Sequence, residues 1–212
     1  SLLPSLLAPV GRSPLMQGLR DRVQQYAQHD GSVLISGEPG TGRGAFARYM
    51  HGLSRRSDEP LTTLTAASIT DANCEEQLLG NERAGEAVAG AFERAAGGTL
   101  VVDELTDLPP RAQKILFGIL ESGSFVRVGG SRPIPVDARV VATVVPDYEA
   151  RIEAGELRRD LVAHLAELKL RVPPLRDYAE DVPELLNYYV DKLVDVEGLT
   201  FRRFSVAAQN RL

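Results

Sequence analysis

The sequence predicts an α/β domain, a mainly parallel sheet covered by helices on both faces, followed by the start of a smaller helical unit. Three observations carry this. Short apolar runs recur along the chain and alternate with segments of helical spacing. The runs at 32–36, 99–102 and 138–145 are mostly apolar, as strands buried on both faces are. A glycine-rich turn joins the first run to a helix, and strands alternating with helices build a parallel sheet between helical layers.

Taken in order, residues 13–29 place Leu15, Leu19, Val23 and Tyr26 at helical intervals, with Ser13 and Pro14 as cap and first-turn pair. Residues 32–36 (SVLIS) read as a buried strand, and the Gly-rich turn after them leads into a helix over 43–53. Residues 61–66 read as a second strand, and 72–80 and 85–96 as helices separated by a short irregular loop. Gly97-Gly98 breaks the chain before a third strand at 99–102, and Pro109-Pro110 opens a helix over 110–121. Residues 124–128 and 133–136 pair as a hairpin around Gly129-Gly130. A strand over 138–145 (ARVVATVV), helices near 147–154 and 156–165, and a last strand at 168–172 complete the alternation. An amphipathic helix follows at 180–197, and another begins at 205–212. Pro173-Pro174 marks the boundary, which gives a linker at 1–9, an α/β unit at 10–174 and a helical unit at 175–212.

Composition narrows the function. The 212 residues carry a net charge of −5, so no global field favours nucleic acid or an anionic membrane. Arg55-Arg56 and Arg202-Arg203 are short basic pairs that read as solvated faces. No stretch of about 18 apolar residues is present to span a membrane. The opening SLLPSLLAPV is Pro-broken and lacks a basic flank, so it reads as a linker rather than a signal peptide. Cys74 is the single cysteine, which fits a reducing cytoplasm and reads as a small buried or surface thiol. His29, His51 and His164 lack metal-ligand spacing, so the one metal expected is Mg²⁺ accompanying a nucleotide.

Two motifs carry chemistry. Gly37-Glu38-Pro39-Gly40-Thr41-Gly42-Arg43-Gly44 matches the phosphate-loop frame G-x-x-x-x-G-K-[ST] in its glycines, spacing and strand–helix context. Such glycines let successive N–H groups face phosphate oxygens at a helix N-terminus. An ordinary Gly-rich turn is the alternative. The frame's Lys is Arg43, longer and forked, and its Ser/Thr is Gly44, which offers Mg²⁺ no hydroxyl. Downstream, residues 99–104 (TLVVDE) form an apolar strand ending in two carboxylates, the Walker B arrangement. There Asp103 holds Mg²⁺ and Glu104 polarises the attacking water. The alternative is a strand end with a helix-capping Asp.

GEPGTGRG, FERAAGGTLVVDEL, ILESGSFVRVGGSRPIPVDARVVATV, LRRDL and VPPLRDYAEDVPEL follow one another in that order. Together they resemble the central AAA+ domain of sigma-54-dependent response regulators of the NtrC/NtrX type. The resemblance implies a three-layer AAA+ fold with a helical lid and a self-assembled ring that binds ATP or ADP with Mg²⁺. It implies RNA polymerase holoenzyme as a partner and DNA contact through a helix-turn-helix of the whole regulator. By the same resemblance Val10-Gly11 lines the adenine pocket, and Gly37, Glu38, Gly40, Thr41, Gly42, Arg43 and Gly44 bind the nucleotide. Asp103 and Glu104 act in catalysis, with Asp103 on the metal, and Arg158 takes the place of an arginine finger, against a surface arginine in an ion pair.

Several positions depart from the family pattern. His164 stands where a second such arginine is expected, Val144-Val145 where a Thr-Asn sensor is expected, and no GAFTGA loop follows Leu79-Gly80-Asn81-Glu82. Each removes transition-state stabilisation, and one lost preorganised contact commonly costs about 10²–10³ in rate. The expectation is a module that binds nucleotide weakly or not at all, hydrolyses it poorly and acts through oligomerisation. The alternative is a working ATPase that remodels polymerase.

Overall fold

The computed structural model describes residues 8–197, and the start of a helix expected at 205–212, like Arg202-Arg203, lies outside the described residues. Helix α1 (Pro14–Ala27) begins where the Ser13 hydroxyl accepts the Met16 N–H, as its Ser-Pro start predicts. Then come β1 (Val33–Ser36), α2 (Arg43–Leu53), β2 (Leu61–Thr65) and α3 (Cys74–Leu79). A hairpin of β3 (Asn81–Arg83) and β4 (Glu86–Val88) precedes the short α4 (Ala91–Arg94). The chain continues through β5 (Thr99–Asp103), α5 (Pro110–Ser122), the pair β6 (Ser124–Val126) and β7 (Pro133–Pro135), and β8 (Arg139–Val144). It ends with α6 (Tyr148–Glu153), α7 (Arg159–Leu165), β9 (Leu168–Arg171), a 3₁₀ stretch (Leu175–Asp181) and α8 (Val182–Glu197).

Five strands form one sheet in the order β2-β5-β8-β1-β9, every pairing parallel. Strand alternation sorts its side chains into two cores. Leu34, Leu100, Val102, Val140 and Ala142 pack with Leu116 of α5 and Leu161 of α7. Val33, Ile35, Val101 and Val141 pack instead with Val23 of α1 and Phe46 of α2. The layers are helix, sheet, helix. By the same alternation Asp103 shares the α2 face with Val101, and Thr143 shares it with Val141. That parity puts both polar side chains at the strand ends beside the loop that opens α2.

One expected element is different. Residues 85–96 were expected to be helical, but 81–88 form an exposed antiparallel hairpin and only Ala91–Arg94 is helical. The cause is local. Ala84 and Gly85 both have positive φ, 51° and 84°, as a two-residue hairpin turn requires and a helix forbids. The alanine spacing of this stretch imitates a helix without supplying an apolar face to bury. Cys74 is fully buried, which decides between the buried and the surface thiol that the sequence left open. Among the described residues no helix is long and apolar enough to cross a membrane.

Candidate functional site

The phosphate loop runs from the end of β1 to the start of α2. Gly40 and Gly42 sit at φ 84° and 88°, and Gly42 caps α2 in the left-handed conformation with no side chain in the way. The α2 N-terminus brings orphan N–H groups and the positive end of the helix dipole to this turn. Gly37 is tethered to the sheet by its N–H, which donates to the Val144 carbonyl at 3.1 Å. A side chain at Gly37 would collide with the Val172 carbonyl, so the loop start packs directly on the backbone that leaves β9. Thr41 turns its hydroxyl inward, donating to the Glu38 carbonyl at 2.7 Å.

Arg43 occupies the lysine position of the frame, and its guanidinium does not project freely into solvent. Its Nη2 donates to Glu104 Oε2 at 2.7 Å, with the two side chains only 10% and 18% exposed. Its Nη1 is buried without a partner. The other oxygen of Glu104 accepts the Thr106 hydroxyl at 2.5 Å. Glu104 itself has φ 62°, a left-handed conformation uncommon outside glycine. Its backbone is held there by Thr143, whose hydroxyl oxygen accepts the Glu104 N–H at 2.8 Å and donates to Asp103 Oδ1 at 2.9 Å. The pair Asp103-Glu104 is therefore a hydrogen-bonded network closed by Arg43, Thr106 and Thr143.

Beside this network a cavity of about 340 Å³ is lined by Arg43, Gly44, Arg48 and Asp103. Two guanidiniums and a helix N-terminus suit an anionic ligand such as a nucleotide phosphate. A second cavity of about 330 Å³ adjoins the loop at Thr41 and Gly42, between Val10 and Met16 on one side and Tyr178 and Tyr188 on the other. Its apolar and aromatic walls fit a nucleobase. The donor set fits a divalent cation poorly. Gly44 brings no hydroxyl, Glu104 is already neutralised by Arg43, and Asp103 is the remaining carboxylate. Among the described residues no three His, Cys, Asp or Glu side chains form a metal cluster.

The sequence-predicted residues thus divide. Gly37, Gly40, Thr41, Gly42, Arg43, Gly44, Asp103 and Glu104 converge at the C-terminal edge of the sheet, and Val10 lines the base-sized cavity nearby, whereas Gly11 does not. Glu38 faces away into a bidentate ion pair with Arg176, at 2.5 and 3.0 Å, and the Arg176 hydrogen bond holds its carboxyl below the ordinary value.

Arg158 is not part of the cluster. It caps α7, pairs with Asp160 at 2.5 and 3.0 Å, and lies 5.6 Å over the Phe117 ring. His164 meets that ring edge-on, and its Nδ1 is 3.9 Å from Glu121. These groups form a separate half-exposed face. Val144, the last residue of β8, is fully buried in the core, and the half-buried Val145 follows the strand, so neither brings a side-chain donor to the site.

Three contributors escape sequence reasoning. Thr143 is a hydroxyl inside an otherwise apolar strand, and a buried polar group needs partners, which is the signal that points to it. Arg48 lies one turn beyond Gly44, and Arg176 sits in the PPLRDYAED run with no local cue to its partner.

Comparison with known proteins agrees with this geometry. Residues 9–171 match the sigma-54 interaction domain. The chain is 39% identical over 208 residues to the DNA-binding transcriptional regulator NtrC of Bradyrhizobium sp. (strain RP501 Parasponia), covering 96% of this chain and 43% of that protein. The crystal structure of NtrX from Brucella abortus in complex with ADP superposes with a TM-score of 0.90 at 32% identity, covering 96% of this chain and 46% of that one. The same protein in complex with ATP gives 0.88 at 32% identity, covering 95% and 47%. The chain spans under half the length of these relatives. The fold has the P-loop AAA+ architecture, and the chain belongs to the sigma-54 interaction domain family of NtrC/NtrX-type regulators.

Proposed function

We propose that this chain is the nucleotide-binding AAA+ module of a bacterial transcription regulator, one that binds ATP or ADP weakly and does not hydrolyse ATP efficiently. The observation that carries it is the ion pair between Arg43 and Glu104 at 2.7 Å. Water activation needs a carboxylate free to accept a proton. Here one oxygen of Glu104 is held by a guanidinium and the other by Thr106. Arg43 in turn spends its Nη2 on that carboxylate and not on a phosphate.

The phosphate loop, Arg48 and the apolar cavity beside Val10 support retention of nucleotide, as does the crystallisation of NtrX from Brucella abortus with ADP and with ATP. The α/β unit of 10–174 carries the site, and the segment from 175 begins a helical lid over it. The face formed by Arg158, Phe117 and His164 meets a neighbouring copy, so the module acts through self-association. The exposed hairpin at 81–88 stands where the family presents its sigma-54 loop, and it lacks that loop's sequence. Contact with RNA polymerase holoenzyme by the usual route is therefore not favoured, and DNA is held elsewhere in the whole regulator.

Calorimetric titration of the chain with ADP, and with ATP plus Mg²⁺, tests this reading when phosphate release is followed in the same samples. Binding without release is expected. Absence of binding at millimolar nucleotide would contradict it.

A further inference from the structure

The base-sized cavity has two walls from distant parts of the chain. Pro9, Val10 and Met16 form one, and Tyr178, Leu185 and Tyr188 form the other. Asp181, the last residue of the 3₁₀ stretch before α8, joins them. It is 2% exposed, and its Oδ1 accepts the N–H of Arg12 at 2.8 Å and of Ser13 at 2.9 Å. Its Oδ2 accepts the Ser13 hydroxyl at 2.6 Å. Burial works to raise the Asp181 pKa, but the Ser13 hydroxyl and the two backbone N–H groups outweigh it and hold it below the ordinary value.

Gly11 is shaped to this carboxylate. Its φ is 134°, and a Cβ there would run into the Asp181 carboxylate and Met16. Arg20 Nη1 donates to the carbonyls of Pro9 at 3.0 Å and Gly11 at 2.7 Å. Four backbone groups of the strip 9–13 are thus fixed by side chains from α1 and from the helical unit. The contacts set the path of the strip rather than the identity of its side chains.

We propose that Asp181 is a positioning residue for the nucleobase, clamping the strip 9–13 to the helical unit so that docking of that unit and closure of the base pocket are one event. The proposal rests on the nucleotide-binding reading above. It assigns the base contribution to Asp181 and leaves the phosphate contribution to the loop.

The test compares ADP with inorganic pyrophosphate, which engages the loop but has no base, by calorimetric titration of the chain and its variants. Asp181→Ala is expected to weaken ADP binding at least roughly tenfold, the scale of one lost hydrogen bond to a charged group. Pyrophosphate binding is expected to change by less than about twofold. Asp181→Asn still accepts both backbone N–H groups and its amide can donate to Ser13, so it restores most of the ADP affinity. Ser13→Gly is a mild substitution at a helix N-cap and serves if Asp181→Ala does not fold. It is expected to weaken ADP several-fold with pyrophosphate unchanged. Unchanged ADP affinity in both Asp181→Ala and Ser13→Gly, or equal losses for ADP and pyrophosphate, would overturn the proposal alone. Wild-type chain that binds neither probe would overturn it together with the nucleotide reading.

Discussion

The guanidinium of Arg43 and the carboxylate of Glu104 lie 2.7 Å apart, so the cation of the phosphate loop and the carboxylate that follows β5 neutralise each other. Both side chains are largely withdrawn from water, where opposite charges couple more strongly than on a surface. A double-mutant cycle with Arg43→Met and Glu104→Gln, read by urea denaturation, is expected to give a coupling of about 1–3 kcal/mol. Additive effects of the two substitutions would show that the pair contributes nothing to the fold.

Thr143 ties the two carboxylate residues together through a single hydroxyl. Thr143→Val keeps the shape but leaves the Glu104 N–H without its acceptor. A loss of about 1–3 kcal/mol is expected in urea denaturation, the cost of a buried group left unpaired. Thr143→Ser, which keeps the hydroxyl, is expected to lose less.

Ala84 takes φ 51° in the hairpin turn, where a side chain is strained. Ala84→Gly and Ala84→Asn relieve about 1 kcal/mol of left-handed strain. A rise in Tm of roughly 2–4 °C is expected for a domain of this size. A fall would mean that the turn is held by contacts of the Ala84 methyl.

His51 is buried on α2 with Nδ1 2.9 Å from Thr99 Oγ1. Burial lowers its pKa, with Arg139 acting the same way against a hydrogen bond involving the Glu59 backbone. The folded state therefore binds this proton less well than the unfolded state. Stability is full above the unfolded value of about 6.5 and declines as pH falls through the lowered folded value. Urea denaturation at pH 7.5 and pH 5.5 is expected to show a larger loss for wild type than for His51→Asn. Equal losses would remove His51 as the source.

Much of this was legible in the sequence. The apolar runs marked the three central strands, β1, β5 and β8, because strands buried on both faces need that composition, while the edge strands β2 (LTTLT) and β9 (LKLR) followed from the alternation with helices. The glycines of 37–44 and the carboxylates after Val102 announced a site whose parts the parallel topology brings to one edge. What stayed hidden depends on long-range partners. Nothing near Arg43 says that its guanidinium will turn to Glu104 rather than outward, and nothing near Asp181 says that it will cap residues at the other end of the chain. The segment 85–96 misled because alanines at helical spacing carry propensity without an apolar face, and Gly85 decided the turn. Arg158 was expected as a finger or as a surface ion pair. Its pairing with Asp160 is the second of these within one chain, and the first is a relation between copies.

The central claim is that Glu104 does not act as a catalytic base while Arg43 holds it. The most direct measurement is phosphate release from ATP with Mg²⁺ at high protein concentration, for wild type beside Glu104→Gln. The expected result is the same rate for both, at the level of the background. Release by wild type about tenfold or more above Glu104→Gln would contradict the account, and Arg43 would then stand as a working substitute for the lysine.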